Sequence, residues 1–212
     1  MSLLARLFPK SRRPRKASTS EVRAFFEGAA QSEEHYPSTI DPRIQFVQVA
    51  LSHFGDLNGK RVIDVGCGKG RFARIFQQEN PGAMVAAVDI AEAMLAHATG
   101  LERAAATMTQ LPFRDNSFDA ACAIESLEHA VDVPKAISEI CRVVRPGGKV
   151  MILDKNVEKW GHFETPDWEQ WFDRSQVEKI LRRYCSTASS RPIAYWEDVQ
   201  PDGLFLVWLA VK

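Results

Sequence analysis

Residues 61–76 read RVIDVGCGKGRFARIF. An apolar run is followed by Gly66, Gly68 and Gly70 alternating with Cys67 and Lys69, and then by a segment whose Phe72, Ile75 and Phe76 share one helical face. A strand that ends in a glycine loop and opens a helix presents N–H groups and the positive end of a helix dipole to whatever lies against it. The glycines let the chain turn sharply and let a ligand touch the backbone. The spacing is G-x-G-x-G, whereas a dinucleotide pyrophosphate is wrapped by G-x-G-x-x-G. The loop therefore fits a smaller, less phosphate-rich ligand, although taken alone it also fits a purely structural turn.

Outward from this stretch, apolar runs of strand length alternate with longer helical patterns, which predicts βαβ units and a largely parallel sheet. Strands are expected at 61–65, 83–88, 104–107, 118–124 and 149–154. Ile137, Ile140, Cys141 and Val144 predict a helical face before the turn RPGG. Ser175 and Glu178 have the spacing of a capping box opening SQVEKILRRY, with Val177, Ile180, Leu181 and Tyr184 as its buried stripe. The end of the chain, 203–212, reads as a strand, and 187–196 as its hairpin partner.

The chain has 212 residues, a length that suits one α/β domain. Its 27 basic residues balance 27 acidic ones. Six of the basic residues (Arg6, Lys10, Arg12, Arg13, Arg15 and Lys16) fall within residues 1–16, which contain no acid, so the body is mildly acidic. Residues 1–20 are expected to be a basic flexible tail, and 21–212 a single domain. The four cysteines (Cys67, Cys122, Cys141 and Cys185) form no C-x-x-C pair. No histidine stands at metal-ligand spacing, so buried reduced thiols are expected and no metal. No apolar run approaches the ~20 residues that span a bilayer, and the start lacks the pattern of a secretory signal. A cytoplasmic protein is expected, with two readings of residues 1–16 open: a solubilising tail, or a weak interfacial contact with anionic lipid through Leu3, Leu4, Leu7 and Phe8.

Asp89 ends the second strand, 19 residues after Gly70. From there a carboxylate in this topology reaches ribose hydroxyls, and it could equally cap the helix that follows. DVGCGKG, VDI, LPF with FDAA, LEH and RPGG then follow in order.

With those five signals the chain resembles the class I S-adenosylmethionine-dependent methyltransferases, in their small-molecule branch, type 11. The resemblance is dense over 60–155. It implies a Rossmann-like, doubly wound, mostly parallel seven-stranded sheet with an antiparallel C-terminal strand, and S-adenosylmethionine as cofactor. The residues it marks for the cofactor are Asp64, Gly66, Cys67, Gly68, Gly70, Asp89, Ile90, Thr107, Met108 and Glu125. Two positions depart from the family pattern. Thr107 stands where an adenine-binding Asp is common, and Lys69 replaces a small polar residue of the glycine loop.

Methyl transfer is an in-line displacement, so the protein mainly aligns donor and acceptor. A neutral hydroxyl acceptor benefits from a general base, for which His129 and Glu125 are the catalytic candidates, with Asp154 and His162 also at strand ends. The segment 156–172 (NVEKWGHFETPDWEQWF) concentrates aromatic residues and reads as a substrate lid, with Trp160, His162 and Asp154 expected to contact the acceptor. Trp168, Trp171 and Phe172 could instead pack a short helix. AIESLEH is neither an amine-binding Asn/Asp-Pro-Pro-aromatic motif nor a Pro-Cys nucleophile, so the expected acceptor is a small molecule or a lipid or sugar precursor and not nucleic acid. A nicotinamide oxidoreductase lacks its loop and its Tyr/Lys pair; a non-catalytic module that binds the same cofactor stays open.

Overall fold

A computed structural model describes residues 14–212. The expected lipid contact through residues 1–16 therefore falls largely outside the described residues. The strands are β1 (Arg61–Val65), β2 (Met84–Asp89), β3 (Glu102–Ala105), β4 (Phe118–Ile124), β5 (Val144–Lys155), β6 (Thr187–Ile193) and β7 (Phe205–Val211). They form one seven-stranded sheet in the order β3-β2-β1-β4-β5-β7-β6. β1 to β5 pair in parallel, and β7 runs antiparallel to both β5 and β6. The helices are α1 (Thr19–Ala29), α2 (Gln45–Phe54), α3 (Arg71–Glu79), α4 (Glu92–His97), α5 (Val133–Val143) and α6 (Arg174–Leu181).

Alternation along each strand divides the core between the two faces of the sheet. Ile63, Val65, Ala121, Ala123, Val150, Ile152 and Trp208 pack with Ile137 and Ile140 of α5 and Val177 and Leu181 of α6. Val62, Val85, Ala120, Cys122, Met151 and Val207 pack with Phe46 and Val47 of α2 and Phe72 and Phe76 of α3. Burial on both faces is why these strands read as continuous apolar runs. Strand order reverses between β1 and β4, which opens a crevice at their carboxyl ends.

Several local expectations are corrected. β3 begins at Glu102, so Thr107 lies beyond its end; Ala105, the last strand residue, pairs with Asp89. Val144 is a buried strand residue, because β5 runs back through RPGG and pairs with Phe118. α6 is capped by Asp173, whose side chain accepts from the N–H groups of Ser175 and Gln176. Ser175 therefore caps nothing, and Tyr184, past the helix end, is 40 % exposed. The segment Trp168–Phe172 forms no helix. Within residues 14–20, Arg15 is ion-paired to Glu21 and Asp167, and Ser18 opens α1 with a complete capping box to Glu21.

Candidate active site

The glycine loop is fastened to β2, since the N–H groups of Gly66 and Cys67 donate to the Val88 carbonyl at 2.7 and 2.9 Å. Gly66 has φ +74°, and a Cβ there would come within 2.5 Å of Ser126 Cβ, so the turn closes against the end of β4 only without a side chain. Gly68 has φ +53°, and a Cβ there would meet nothing within 4 Å. Its backbone faces open space on the crevice wall. Gly70 serves packing, since a Cβ on it would press on Leu101 and Ala98.

Asp89 is held by its loop neighbours. Oδ2 accepts from Gly68 N at 2.8 Å and Oδ1 from Ala91 N at 2.9 Å. It does not cap α4, because the first-turn N–H groups of Glu92 and Ala93 are taken by Glu27 of α1. Each Asp89 oxygen keeps a further lone pair for a ligand hydroxyl. Asp64 lies under the loop, 1 % exposed. Its Oδ1 accepts from the Cys122 thiol at 3.4 Å, and its Oδ2 has no partner among the described residues. Burial pushes its carboxyl up to about 6. The departure at Lys69 has a visible role: the side chain is buried and its Nζ donates to Ser32 O at 3.0 Å and Glu33 Oε1 at 2.6 Å, tying the loop to the segment after α1.

The crevice is a cleft of about 450 Å³, inside the range of roughly 300–1,000 Å³ typical of small-molecule sites. Gly66, Cys67, Gly68, Asp89, Ile90, Thr107, Met108 and Glu125 line it, as do Phe26, Tyr36, Met94, His129, Lys155, Phe163 and Glu169. Met108 leans over the loop, its Cε 3.5 Å from where a Cβ on Gly66 would stand. Thr107 Oγ1 lies 3.0 Å from Thr109 Oγ1.

On the far wall the 127–129 turn, the end of β5 and the lid segment converge. Lys155 Nζ donates to both oxygens of Glu128, at 2.6 and 2.7 Å, and to Glu169 at 3.2 Å. Asp154 accepts from Glu128 N behind them. Burial opposes the Lys155 charge, but the carboxylates of Glu128, Asp154 and Glu169 outweigh it and keep Lys155 charged. Burial and then Asp154 push the Glu128 carboxyl well up.

His129 Nε2 faces Glu128 at 3.4 Å and Glu169 at 3.9 Å, while its Nδ1 is buried with no partner among the described residues. Burial, with the Lys155 charge, lowers its pKa to about 3, so the ring is neutral at pH 7. Glu128, His129 and Glu169 place ligand atoms within 4.8 Å of one another, but Lys155 already fills the gap between the two carboxylates.

Other expected site residues sit elsewhere. Asp154 is fully buried, accepting from the N–H groups of Glu128 and Lys155; it supports the cleft wall from behind. Trp160 packs on Trp171 at 5.3 Å, and His162 on Phe163. Neither lines the cleft, to which the lid contributes Phe163, Glu164, Thr165, Pro166 and Glu169. Asp64 and Gly70 lie under the loop and not on the cleft surface. Glu125 does line it, but its carboxylate is ion-paired to Arg71 at 2.5 Å, and its φ of 51° puts it in the left-handed region. Paired in this way it is a poor general base and a good anchor. Lys155, Glu169, Phe26 and Tyr36 were not anticipated. Lys155 carried a signal, its place at the carboxyl end of β5, and Phe26 another, the S-x-x-E box that starts its helix.

Comparison with known proteins places this geometry in context. A family model described as a methyltransferase domain matches residues 63–152. The chain is 31% identical over 152 residues to a demethylmenaquinone methyltransferase of Renibacterium salmoninarum, covering 70% of this chain and 61% of that protein. It is 30% identical over 181 residues to a 2-phytyl-1,4-naphtoquinone methyltransferase of Trichormus variabilis, covering 78% and 77%. The first of these relatives is thus spanned over about three fifths of its length. Among solved structures, the [4+2]-cyclase SpnF superposes with a TM-score of 0.74 at 18% identity, over 96% of this chain and 99% of that one. At that identity it attests to the fold alone.

Proposed function

The chain belongs to the class I S-adenosylmethionine-dependent methyltransferases of type 11, and on that premise we propose that it transfers a methyl group to a small, uncharged, largely apolar acceptor, at oxygen or carbon. The observation that carries this reading is that one cleft is lined both by the loop and strand-end residues suited to the cofactor and by His129 with its unpartnered Nδ1.

The residues present fit S-adenosylmethionine. Gly68 offers open space beside its backbone and Asp89 keeps acceptor capacity for the ribose hydroxyls, while Asp64, beneath the loop, holds an oxygen with no partner among the described residues. Met108 offers an apolar surface, and Thr107 a hydroxyl, where the adenine would lie. Bound there, S-adenosylmethionine supplies an electrophilic methyl group on a sulfonium. The chain's own task is to align the acceptor and to keep water away, which Phe26, Tyr36 and Phe163 suit.

For a hydroxyl acceptor we assign His129, whose Nε2 faces Glu128 and Glu169, as the base: burial and the Lys155 charge hold its pKa to about 3, so it takes the proton late, once methylation has made the hydroxyl strongly acidic. Lys155 holds those two carboxylates in place. A carbon acceptor that is already nucleophilic needs no such base. The quinone-type rings in the names of the two relatives make a hydroquinone-sized ring the acceptor class we favour.

The test supplies methyl-labelled cofactor with cell extracts and with a panel of hydroquinones and phenols. Label is expected in the aqueous or lipid fraction. His129→Ala should lower kcat on a hydroxyl acceptor by about 10²-fold or more without moving cofactor affinity. Label chiefly in nucleic acid would contradict the acceptor class, and cofactor binding with no transfer to any fraction would favour a non-catalytic module.

A further inference from the structure

Cys141 and Cys185 are 44 positions apart in the chain, yet their sulfurs lie 3.8 Å from each other. Cys141 sits on the buried side of α5, 1 % exposed. Cys185 follows α6, where its N–H donates to Leu181 O at 2.8 Å. It is 8 % exposed, between the exposed Tyr184 and Ser186. The C-terminal Lys212 is anchored nearby, its Nζ donating to Val144 O at 2.7 Å. Hydrogen bonding from Cys141, aided by the Lys212 charge, draws the Cys185 thiol below its ordinary value, while the same contact and burial push Cys141 up.

We propose that Cys141 and Cys185 are a redox modification site, a dithiol that is oxidised by low-molecular-weight disulfides and closes to an intramolecular disulfide. The Cys185 thiolate, on the solvent side, attacks one sulfur of the incoming disulfide and forms a mixed disulfide as the first small thiolate leaves. Cys141 loses its proton to that thiolate and attacks the Cys185 sulfur, expelling the second. Two protein thiols are oxidised, and one disulfide is reduced to two thiols. Closure needs the sulfurs to approach from contact to about 2.05 Å.

The bond would join α5 to the end of α6. α5 begins just after the 127–131 wall of the cleft, and α6 just after the lid segment. The two are already bridged by Gln170, which donates to Glu128 O and Ala130 O. Cys67 and Cys122 are buried, with thiols pushed well up, and take no part.

The test incubates the intact protein with a series of oxidised to reduced glutathione ratios and maps tryptic peptides without reduction. The expected result is one cross-linked species, joining the peptide of residues 136–142 to the peptide that begins at Tyr184, with two of the four thiols lost. The thermal midpoint should rise on oxidation, because a long loop is closed in the unfolded chain, and should return on adding dithiothreitol. Cys141→Ser should stop at a glutathione adduct on Cys185. The proposal is overturned by four thiols that stay titratable across the whole series, by a wild-type adduct on Cys185 that never resolves, or by a disulfide that uses Cys67 or Cys122.

Discussion

Asp64 shows what a single residue costs this fold and what it gives in return. Its carboxyl is buried, one oxygen has no partner among the described residues, and burial raises its pKa from 3.8 to about 6. A carboxyl whose folded value is raised contributes stability that is fully present below its unfolded value and lost as pH rises through its folded value. Asp64 therefore destabilises the ligand-free protein above about pH 6. A shift of about two pKa units corresponds to ~3 kcal/mol as an upper bound. Asp64→Asn, which cannot ionise, should stabilise the ligand-free protein relative to wild type by a margin that grows from pH 4 to pH 7. Chemical denaturation at the two pH values reads this; a margin that does not change between them would show that the Asp64 carboxylate is already satisfied in the fold. Little of this was visible beforehand. Asp64 could be marked in the sequence by its place before the glycine loop, but not the missing partner of Oδ2 among the described residues, which only the packing around it shows.

Of the helices, sequence patterning left out α2 and α1, and α1 shows why. Its apolar residues Val22 and Phe26 face the cleft rather than the sheet, so they do not build the broad apolar stripe by which a sheet-packed helix is recognised. The strands β1, β2 and β4 were legible because both of their faces are buried. β3 was placed two residues late, since ERAA at the sheet edge is half exposed and lacks an apolar run. α1 also does for α4 what α4 lacks: the Glu27 side chain accepts from Glu92 N at 2.8 Å and Ala93 N at 3.0 Å, and α4 has no side-chain cap of its own. Glu27→Ala should cost about 1 kcal/mol, the usual value of a lost helix cap, and Glu27→Gln less. Urea unfolding of the two variants measures the difference; equal midpoints for wild type and Glu27→Ala would mean that water replaces the cap without penalty.

At the scale of the whole molecule, the cofactor half of the site was far more legible than the acceptor half. Gly66, Gly68 and Asp89 lie close to one turn of chain at the switch point of the sheet, so their spacing carries their geometry. The acceptor wall is assembled from distant segments: Glu128 and His129 after β4, Lys155 at the end of β5 and Glu169 in the lid. No local pattern announces that convergence, which is why Trp160 and His162 were chosen by composition and Phe163 and Glu169 by the fold. Among the described residues no helix is long and apolar enough to cross a membrane.

We propose that this crevice binds S-adenosylmethionine through the glycine loop and Asp89. Calorimetric titration of the wild type and of Asp89→Ala with S-adenosylmethionine, with NAD as control, measures this. The expected result is micromolar binding, about 8 kcal/mol, for S-adenosylmethionine alone, weakened roughly 10- to 100-fold in Asp89→Ala through the loss of charge-assisted hydrogen bonds worth about 1.5–3 kcal/mol. Heat with NAD and none with S-adenosylmethionine, or an unchanged affinity in Asp89→Ala, would contradict it.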